Sequence, residues 1–255
     1  MNNALAEKLA PLLSFAVLII AWELTVRFAG LNTNSLPSPS QVFVSMIELI
    51  RNGDIFKHTV ASLFRVTAGF YLAALLGIPL GIILGRSQLF ALLLNPVIHF
   101  LRPISPLAWI PLAMLWFGIG DQPAVFLIFL SSFFPIVVST TVAVQSINPT
   151  YFYVAANFDF SRLEVIKKVV IPAIIPDIIT ALRLTVTISW IVVVAAEMIA
   201  VQSGLGYLIL DARNGLRMDY VLDGMIVIGI IGILLDSIMR RLGRIDSASW
   251  GIRKM

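Results

Sequence analysis

This chain of 255 residues contains no cysteine, and only 13% of its residues are charged. Without cysteine it can form no disulfide, thiolate metal site or iron–sulfur cluster. Soluble domains carry about a quarter charged residues, so the low share argues against a soluble protein. The net charge of +4 resides in the loops between apolar segments and does not indicate a nucleic-acid partner.

The sequence also lacks the motifs of common enzymes. A Gly-x-x-x-x-Gly-Lys loop that would hold a nucleotide phosphate is missing, so the chain is not itself an ATPase. Its two histidines, His58 and His99, have no spacing typical of metal ligands. We therefore expect a protein without catalytic residues, metal or cofactor of its own.

Hydrophobic residues make up 59% of the chain, and the mean hydropathy is +0.95. The apolar runs reach about 18 residues or more, the length that crosses a bilayer as a helix. Backbone groups in lipid must be bonded internally, and the runs lack the alternation of a barrel strand, so helices are predicted. The predicted fold class is all-α, a polytopic membrane protein with a single domain over residues 1–255.

Six membrane spans are predicted. They cover roughly residues 9–28, 64–85, 89–117, 124–144, 178–201 and 221–239. Three prolines between residues 103 and 111 are expected to break the third span. Glu23 and Arg27 near the end of the first run, and the lack of a clean cleavage site, favour a retained helix over a signal peptide. Ser40 is predicted to cap a short amphipathic helix before the second span.

Lysine and arginine are concentrated in the loop 151–177, in the C-terminal tail and at Arg86. Basic residues of short loops are enriched on the cytoplasmic side of a membrane. With an even number of spans, this loop and both termini are predicted to be cytoplasmic. The bias is not complete, because the opposite side holds Arg51, Lys57, Arg213 and Arg217.

Three glycines of the second span, Gly77, Gly81 and Gly85, recur at a spacing of four residues. On a helix they form a flat strip that lets another backbone approach closely. We expect this strip to pack against another helix of the same chain in preference to a second copy.

Polar side chains within the spans are the candidates for a translocation pathway. Asn95, His99 and Arg102 lie on one face of the third span. Ionisable groups in a bilayer are costly and face a cavity or a partner. Two interpretations stay open: a cationic stripe that helps an anion across, or an Arg102 bonded to a carboxylate or to carbonyls freed by Pro103 and Pro106.

The fourth and fifth spans carry further polar positions. Ser132 and Ser139 of the fourth span, and Arg183 and Thr187 of the fifth, are pathway candidates. Hydroxyl groups in such helices also form hydrogen bonds between neighbouring helices, so both roles stay open for the serines.

Two acidic residues in the spans are candidates for structural ion pairs. A bare carboxylate at Glu197 would repel a transported anion, so a cationic partner is expected. The predicted partners of Glu197 are Arg102 and Arg213. Asp236, in the last span, has Arg240 four residues further on as its expected partner.

The stretch from residue 151 to 177 interrupts the apolar pattern with polar, basic and aromatic residues. Its apolar face is short and is interrupted by Asp159 and Glu164, which favours a groove on a partner protein over the membrane surface. Phe158 and Phe160 are predicted to project into that groove as aromatic anchors.

Three segments together resemble the permease subunit of ABC importers in the nitrate, sulfonate, taurine and bicarbonate group. They are residues 102–120, the end of the basic loop at 171–173, and 195–207 with its Ala-Ala-Glu and Ser-Gly-Leu-Gly motifs. The resemblance covers nearly the whole chain and implies a MetI-like fold. It also implies a second permease copy, two cytoplasmic ATPase subunits that hold ATP and Mg²⁺, and a binding protein outside the bacterial inner membrane.

The resemblance makes the basic loop the element that couples the permease to its ATPase. The family pattern of Glu-Ala-Ala, three residues and Gly is changed here, with Tyr153-Val154-Ala155 and Asp159 at those places. This departure is more typical of the nitrate or bicarbonate branch than of the taurine branch. The coupling residues implied are Tyr153, Ala155, Phe158, Asp159, Phe160, Ser161, Arg162 and Pro172.

The resulting hypothesis is an importer permease for a small oxyanion, working by alternating access. Nitrate, nitrite or bicarbonate is the favoured cargo, with sulfonate or taurine next. An ion-coupled secondary transporter or channel without an ATPase is the alternative, and it would predict inverted repeats that the sequence does not show. A purely structural membrane subunit is disfavoured because ligands for haem or iron–sulfur clusters are missing.

Overall fold

The structure is a computed structural model that describes residues 3–28 and 36–246, with side chains for residues 13–28 and 36–241. Regular structure in these residues is helical throughout, which confirms the all-α prediction. The elements are α1 (Asn3–Phe28), α2 (Pro39–Asn52), α3 (Asp54–Arg86), α4 (Gln88–Leu101), a 3₁₀ turn (Pro106–Trp109), α5 (Ile110–Phe117), α6 (Asp121–Gln145), α7 (Pro149–Asn157), α8 (Arg162–Val165), a π turn (Ile166–Val170), α9 (Ile171–Ala200), α10 (Leu205–Asn214) and α11 (Met218–Asp246).

Within the described residues, four helical segments are long and apolar enough to cross a membrane: α3, α6, the run from α8 through α9, and α11. A fifth crossing results if α4 and the segment Pro106–Phe117, which are bent by 88° at their break, count as one span. These five segments correspond to the second to sixth predicted spans. The first predicted span lies in α1, whose side chains are described only from residue 13 onward.

The second span begins well before its predicted start. Helix α3 begins at Asp54 rather than at residue 64. Gly53, with a φ of 77°, ends α2 and lets α3 begin at once. As a result Arg65 lies about three helical turns inside α3 and not at its edge.

The break between α4 and α5 follows from the prolines predicted to cause it. The N–H of Arg102 still donates to the carbonyl of Ile98 at 2.9 Å, which closes the last turn of α4. Pro103 and Pro106 have no N–H and cannot continue the helix, so the chain turns there. Arg102 therefore lies at the corner of the bent span.

The glycine strip of α3 packs against α6, which in turn packs against α9. A Cβ added to Gly81 would lie 2.5 Å from the Cβ of Thr140, and one added to Gly85 would lie 2.6 Å from that of Val144. The strip thus contacts a helix of the same chain, as predicted. The absence of side chains is what lets the two helices approach so closely.

Side-chain contacts show which of the segments that connect the helices lie at the same end of the bundle. The guanidinium of Arg86 lies 4.2 Å from the ring centre of Phe152, so the α3–α4 connection and α7 share one end. At the other end Arg217 pairs with Glu48 at 3.3 Å, so α2 lies beside the turn before α11. We name the first of these the coupling end, after the predicted coupling loop, and the second the outer end, after the orientation that the charge bias predicts.

Replacing Gly81 with alanine is expected to destabilise the bundle by about 1–3 kcal/mol, because the new methyl group would overlap α6. The measurement is thermal unfolding of the purified chain in detergent, followed by tryptophan fluorescence. Gly229→Ala is the matched control, since no described atom lies within 4 Å of its added Cβ. Equal melting temperatures for the two variants would contradict the close α3–α6 packing.

Candidate functional site

The predicted coupling loop folds as two short helices joined by a turn, which we name the coupling hairpin (residues 149–165). Helix α7 begins after Asn148, whose Oδ1 accepts the N–H of Thr150 at 2.9 Å. Helix α8 begins after Ser161, which forms a capping box with Glu164. Local capping therefore fixes where both helices begin, whatever lies beyond the loop.

The turn between these helices is built around Asp159. The N–H of Phe160 donates to the carbonyl of Ala155 at 3.1 Å, and Asp159 has a φ of 51°. This left-handed conformation favours glycine, and asparagine and aspartate are the residues that replace glycine at least cost. Asp159 therefore keeps the backbone shape at the position where the family pattern has glycine.

Only one of the two predicted aromatic anchors projects fully from the hairpin. Phe158 and Tyr153 are each 70% exposed. Phe160 is half-buried, with the ammonium of Lys168 lying 4.5 Å from its ring centre. The expectation that both phenylalanines project is wrong for Phe160, because this cation–π contact holds its ring against the hairpin.

The other coupling candidates occupy distinct positions around the hairpin. Ala155 is buried, Arg162 is exposed, and Pro172 lies in the first turn of α9. Lys168, which lies just after the hairpin, also pairs with Glu164 at 2.8 Å, so this lysine is bound to the hairpin. Among the coupling candidates, Tyr153, Phe158 and Arg162 present large exposed side chains, and Tyr151 and Leu163 extend the same exposed surface.

The polar stripe of α4, formed by Asn95, His99 and Arg102, is accessible from outside the bundle. Asn95 and His99 line a groove of about 510 Å³. Arg102 is exposed at the end of this stripe, and its side chain forms no ion pair or hydrogen bond with any residue that the structure describes. Among the described residues, neither a carboxylate nor a carbonyl freed by the prolines binds Arg102.

Two of the other pathway candidates are engaged within the bundle. The Ser132 hydroxyl lies 2.6 Å from that of Ser189, and both are fully buried between α6 and α9. Arg183 donates to Asp236 at 2.9 Å, so it is not a free cation. Ser132 therefore joins two helices, and Arg183 forms part of an ion pair.

Ser139 and Thr187 stay as pathway predictions, because neither joins two helices. Ser139 is half-buried. Thr187 is exposed, and its hydroxyl donates at 3.3 Å to a carbonyl one turn earlier in α9. Asp236 binds Arg240, as expected, in addition to Arg183.

Glu197 forms the most deeply buried ion pair, and its partner is not one of those predicted. Its Oε1 accepts from Arg65 at 2.6 Å, and the two side chains are 0% and 1% exposed. The prediction that Arg102 or Arg213 pairs with Glu197 is wrong. They lie at the corner of the bent span and at the C-terminal end of α10, whereas Arg65 faces Glu197 from α3.

One face of α3 binds the segment that follows α9 and holds it around this ion pair. His58 accepts the N–H of Gly204 at 3.0 Å, and Ser62 accepts that of Leu205 at 2.9 Å. With Arg65, these residues recur at spacings of four and three, which place them on one side of a helix. That spacing is the sequence signal that could have identified the cluster, had α3 been predicted to begin at Asp54.

The Ser-Gly-Leu-Gly motif after α9 is explained by the same cluster. Gly204 has a φ of 106°, and an added Cβ would collide with the Glu197 carboxylate. A Cβ on Gly206 would lie 2.9 Å from the Glu197 Cβ, and the Gly206 N–H donates to Glu197 Oε2 at 3.0 Å. Only glycine leaves room for the loop to wrap around the carboxylate.

A second polar region at the outer end is a pocket of about 490 Å³ between α2 and the turn before α11. Arg217 pairs there with Glu48 and Asp219. The hydrogen bonds to Asp219 raise the pKa of the Arg217 guanidinium, so this group remains charged. At the pocket wall the Ser45 hydroxyl donates to Asp223 at 2.6 Å and joins α2 to α11.

Spanning helices, an open polar stripe and a capped hairpin at one end together define a multi-pass subunit of a membrane transport assembly. Residues 77–245 match the family described as binding-protein-dependent transport system inner membrane component, and the chain belongs to this family. It is a permease subunit and not an enzyme, since the ATPase of such a transporter is a separate subunit. The family also implies a substrate-binding protein.

Relatives match along nearly the full length of the chain. A Methanocaldococcus jannaschii protein named as an ABC transporter permease is 39% identical over 245 residues, or 94% of this chain and 90% of the relative. A Bacillus subtilis protein named as an aliphatic sulfonates transport permease is 36% identical, over 90% and 83%. A nitrate import permease protein of Synechocystis sp. is 37% identical, over 89% and 84%. The predicted nitrate, sulfonate and taurine group is confirmed.

A solved structure supports the fold. A chain from inward-facing conformations of the MetNI methionine ABC transporter superposes with a TM-score of 0.65, at 17% identity, over 79% of this chain and 98% of that one. The predicted MetI-like fold is confirmed by this likeness.

Replacing Asp159 with valine is expected to loosen the turn of the coupling hairpin, because a left-handed conformation costs an ordinary residue about 1–2 kcal/mol. Asp159→Gly should leave the turn intact. The measurement is amide hydrogen exchange across residues 149–165 of the purified chain. Asn157→Val, a change at an exposed position nearby, is the control. Equal exchange in the valine and glycine variants at position 159 would show that this backbone conformation is not maintained.

Proposed function

We propose that this permease forms the translocation pathway of an ATP-driven importer for a small oxyanion, as a dimer of two identical copies. Both termini and the coupling end face the cytoplasm, and an extracytoplasmic binding protein delivers substrate at the outer end. The observation that carries this proposal is the open polar stripe of Asn95, His99 and Arg102.

A single copy cannot hold this stripe in a bilayer at low cost. An arginine in the centre of a membrane costs roughly 3 kcal/mol or more. Other sides of α4 expose Leu93, Val97 and Phe100, which suit lipid or another helix. A second copy placed against the stripe would enclose it in a water-filled pathway, with one Arg102 from each copy at the corner of the bent span.

The charge distribution suits an anion. Arg102 supplies positive charge without a partner among the described residues, and Asn95 and His99 supply hydrogen-bonding groups along the groove. Glu197 is buried against Arg65 and presents no negative charge to this groove. Nitrate, nitrite or bicarbonate remains the favoured cargo, with sulfonate or taurine next. The relatives named for nitrate and for sulfonates are 37% and 36% identical, so overall identity does not separate the two classes.

Two cytoplasmic ATPase subunits, holding ATP and Mg²⁺, would drive the cycle. The exposed rings of Tyr153 and Phe158 suit a groove on such a subunit. Closure of the two ATPases would draw the two coupling hairpins together and convert the pathway from inward to outward facing. A secondary transporter or channel without an ATPase, the alternative, gives these exposed rings no partner.

Uptake by the reconstituted complex tests the proposal. The permease, with its ATPase and binding protein, is assayed in liposomes with labelled nitrate, bicarbonate and taurine in turn. Arg102→Gln is expected to lower ATP-dependent uptake about tenfold or more, which corresponds to about 1.4 kcal/mol, without reducing the amount of complex. Arg213→Gln, which removes an equal charge at the outer end, is the control.

Two results would contradict the proposal. Uptake by the permease alone, without ATPase or ATP, would favour the secondary transporter or channel. Loss of assembled complex in the Arg102→Gln variant, with unchanged uptake per remaining complex, would assign this arginine a structural role.

Replacing Phe158 with alanine is expected to release the ATPase. Truncating a central aromatic anchor costs roughly 2–4 kcal/mol, or about 30- to 1000-fold in affinity. Phe160→Ala should have a smaller effect, because its ring is half-buried under Lys168. The measurements are co-purification of the ATPase and substrate-stimulated ATP hydrolysis. A Phe158→Ala permease that keeps its ATPase fully bound and coupled would exclude this ring as the anchor.

A further inference from the structure

The guanidinium of Arg65 is buried against two carboxylates and is not exposed to a transported anion. Its N–H groups contact Glu197 Oε1 at 2.6 Å, the Ser203 carbonyl at 2.7 Å and the Ser203 hydroxyl. Two further contacts, from Nε at 2.8 Å and from Nη2 at 2.7 Å, reach Asp121 Oδ1. Arg65 thus forms four hydrogen bonds and one further ion-pair contact, and with 1% exposure the side chain is closed off from any pathway.

The two carboxylates bound to Arg65 differ in how far they depend on this arginine to compensate their charge. Glu197 is 0% exposed and also accepts from Ser62 at 2.8 Å and from the Gly206 N–H at 3.0 Å. Asp121 is 57% exposed, and Arg65 is its one cationic partner in the described part of the chain. Because a buried charge requires compensation, Glu197 depends on Arg65 for folding. Asp121 can be hydrated, so it does not depend on Arg65 in this way.

Asp121 lies where the bent span joins the rest of the bundle. It is the first residue of α6 and follows α5 through Gly118-Ile119-Gly120. Both glycines have positive φ, at 76° and 147°, and neither would bring an added Cβ within 4 Å of a described atom. This joint therefore leaves the backbone free to adopt other directions. It is held by the Gly120 N–H, which donates to the Ala200 carbonyl at 3.2 Å, and by Asp121, while α5 itself packs on α6 and α9 through the buried Ile110 and Ala113.

We infer that Arg65 is a positioning residue that acts through Asp121 on α5. It holds the first residue of α6 against α3 and the Ser203 loop, and thereby sets the direction in which α5 runs back to the corner at Arg102. Only the consequence for transport rests on the function proposed above: a displaced α5 would move Arg102 within the pathway.

The test measures the position of α5 directly. Cysteines are introduced at Leu115, which is 78% exposed on α5, and at the exposed Lys57 of α3, in the otherwise cysteine-free chain. Both are spin-labelled in the full chain in lipid nanodiscs, and an excess of unlabelled chain isolates the distance within one copy. Asp121→Asn removes the charge and keeps the shape. Asp54→Asn, the same change at the start of α3, is the matched control.

The expected result is a distance distribution that shifts and broadens in Asp121→Asn, while Asp54→Asn matches the unsubstituted chain and all three fold in equal amounts. Asp121→Glu, which restores a carboxylate, should recover part of the original distribution. Unchanged distances in Asp121→Asn would overturn the inference. Failure of Asp121→Asn to fold would also overturn it, since Asp121 would then be required by the whole bundle.

Anion uptake per assembled complex is a second measurement, and it would not change if Asp121 had a purely structural role. In the assembled complex, Asp121→Asn is expected to lower ATP-dependent anion uptake while ATP hydrolysis continues. Glu197→Gln should instead reduce the amount of folded permease. If the distance shifts but no anion is transported even by the unsubstituted complex, the proposed function fails and the positioning role stands.

Discussion

The ion pair between Arg65 and Glu197 is the interaction on which the outer end of this permease depends. A carboxylate that is 0% exposed among spanning helices is tolerated only when it is paired and hydrogen-bonded. That requirement fixes α3 against α9 and draws the loop after α9 around the carboxylate. The glycines of this loop follow as a consequence, because Glu197 occupies the space that side chains at Gly204 and Gly206 would need. Removing one partner of such a pair typically costs roughly 3–5 kcal/mol, whereas the intact pair adds little net stability.

Helix α6 contacts its neighbours α3 and α9 by two different kinds of packing. Lipid is as apolar as leucine, so helices in a membrane gain little from burying apolar side chains against each other. Toward α3, close backbone approach over Gly81 and Gly85 supplies the attraction. Toward α9, the hydrogen bond between Ser132 and Ser189 supplies it. The helix at the centre of the bundle is therefore fixed by small residues on one side and by hydroxyl groups on the other.

The sequence predicted those features that depend on local composition. Apolar runs of membrane length, the proline break and the glycine strip each depend on neighbouring residues, and the structure contains all three. The partner of Glu197 could not be predicted in the same way, because Arg65 is far from it in the chain and was placed at the edge of its span. The exposure of Phe160 depends on Lys168 reaching back across the turn, which hydropathy does not reveal. The two roles considered for Ser132 differ only in whether another hydroxyl lies opposite, and that is decided by how the helices pack.

A displacement of the coupling hairpin would affect the two ends of the bundle differently. The helical path from Arg162 through the π turn into α9 is continuous as far as Ala200, so a displacement of the coupling hairpin is passed along α9. At its far end α9 carries Glu197, which is bonded to α3 and to the first turn of α10. Bending at the outer end would break several buried hydrogen bonds at once, each costly in a medium without water. If partner ATPases move the hairpins, α3, α6 and α9 should therefore move together as one body, and in the proposed dimer access would change between the two copies rather than within one.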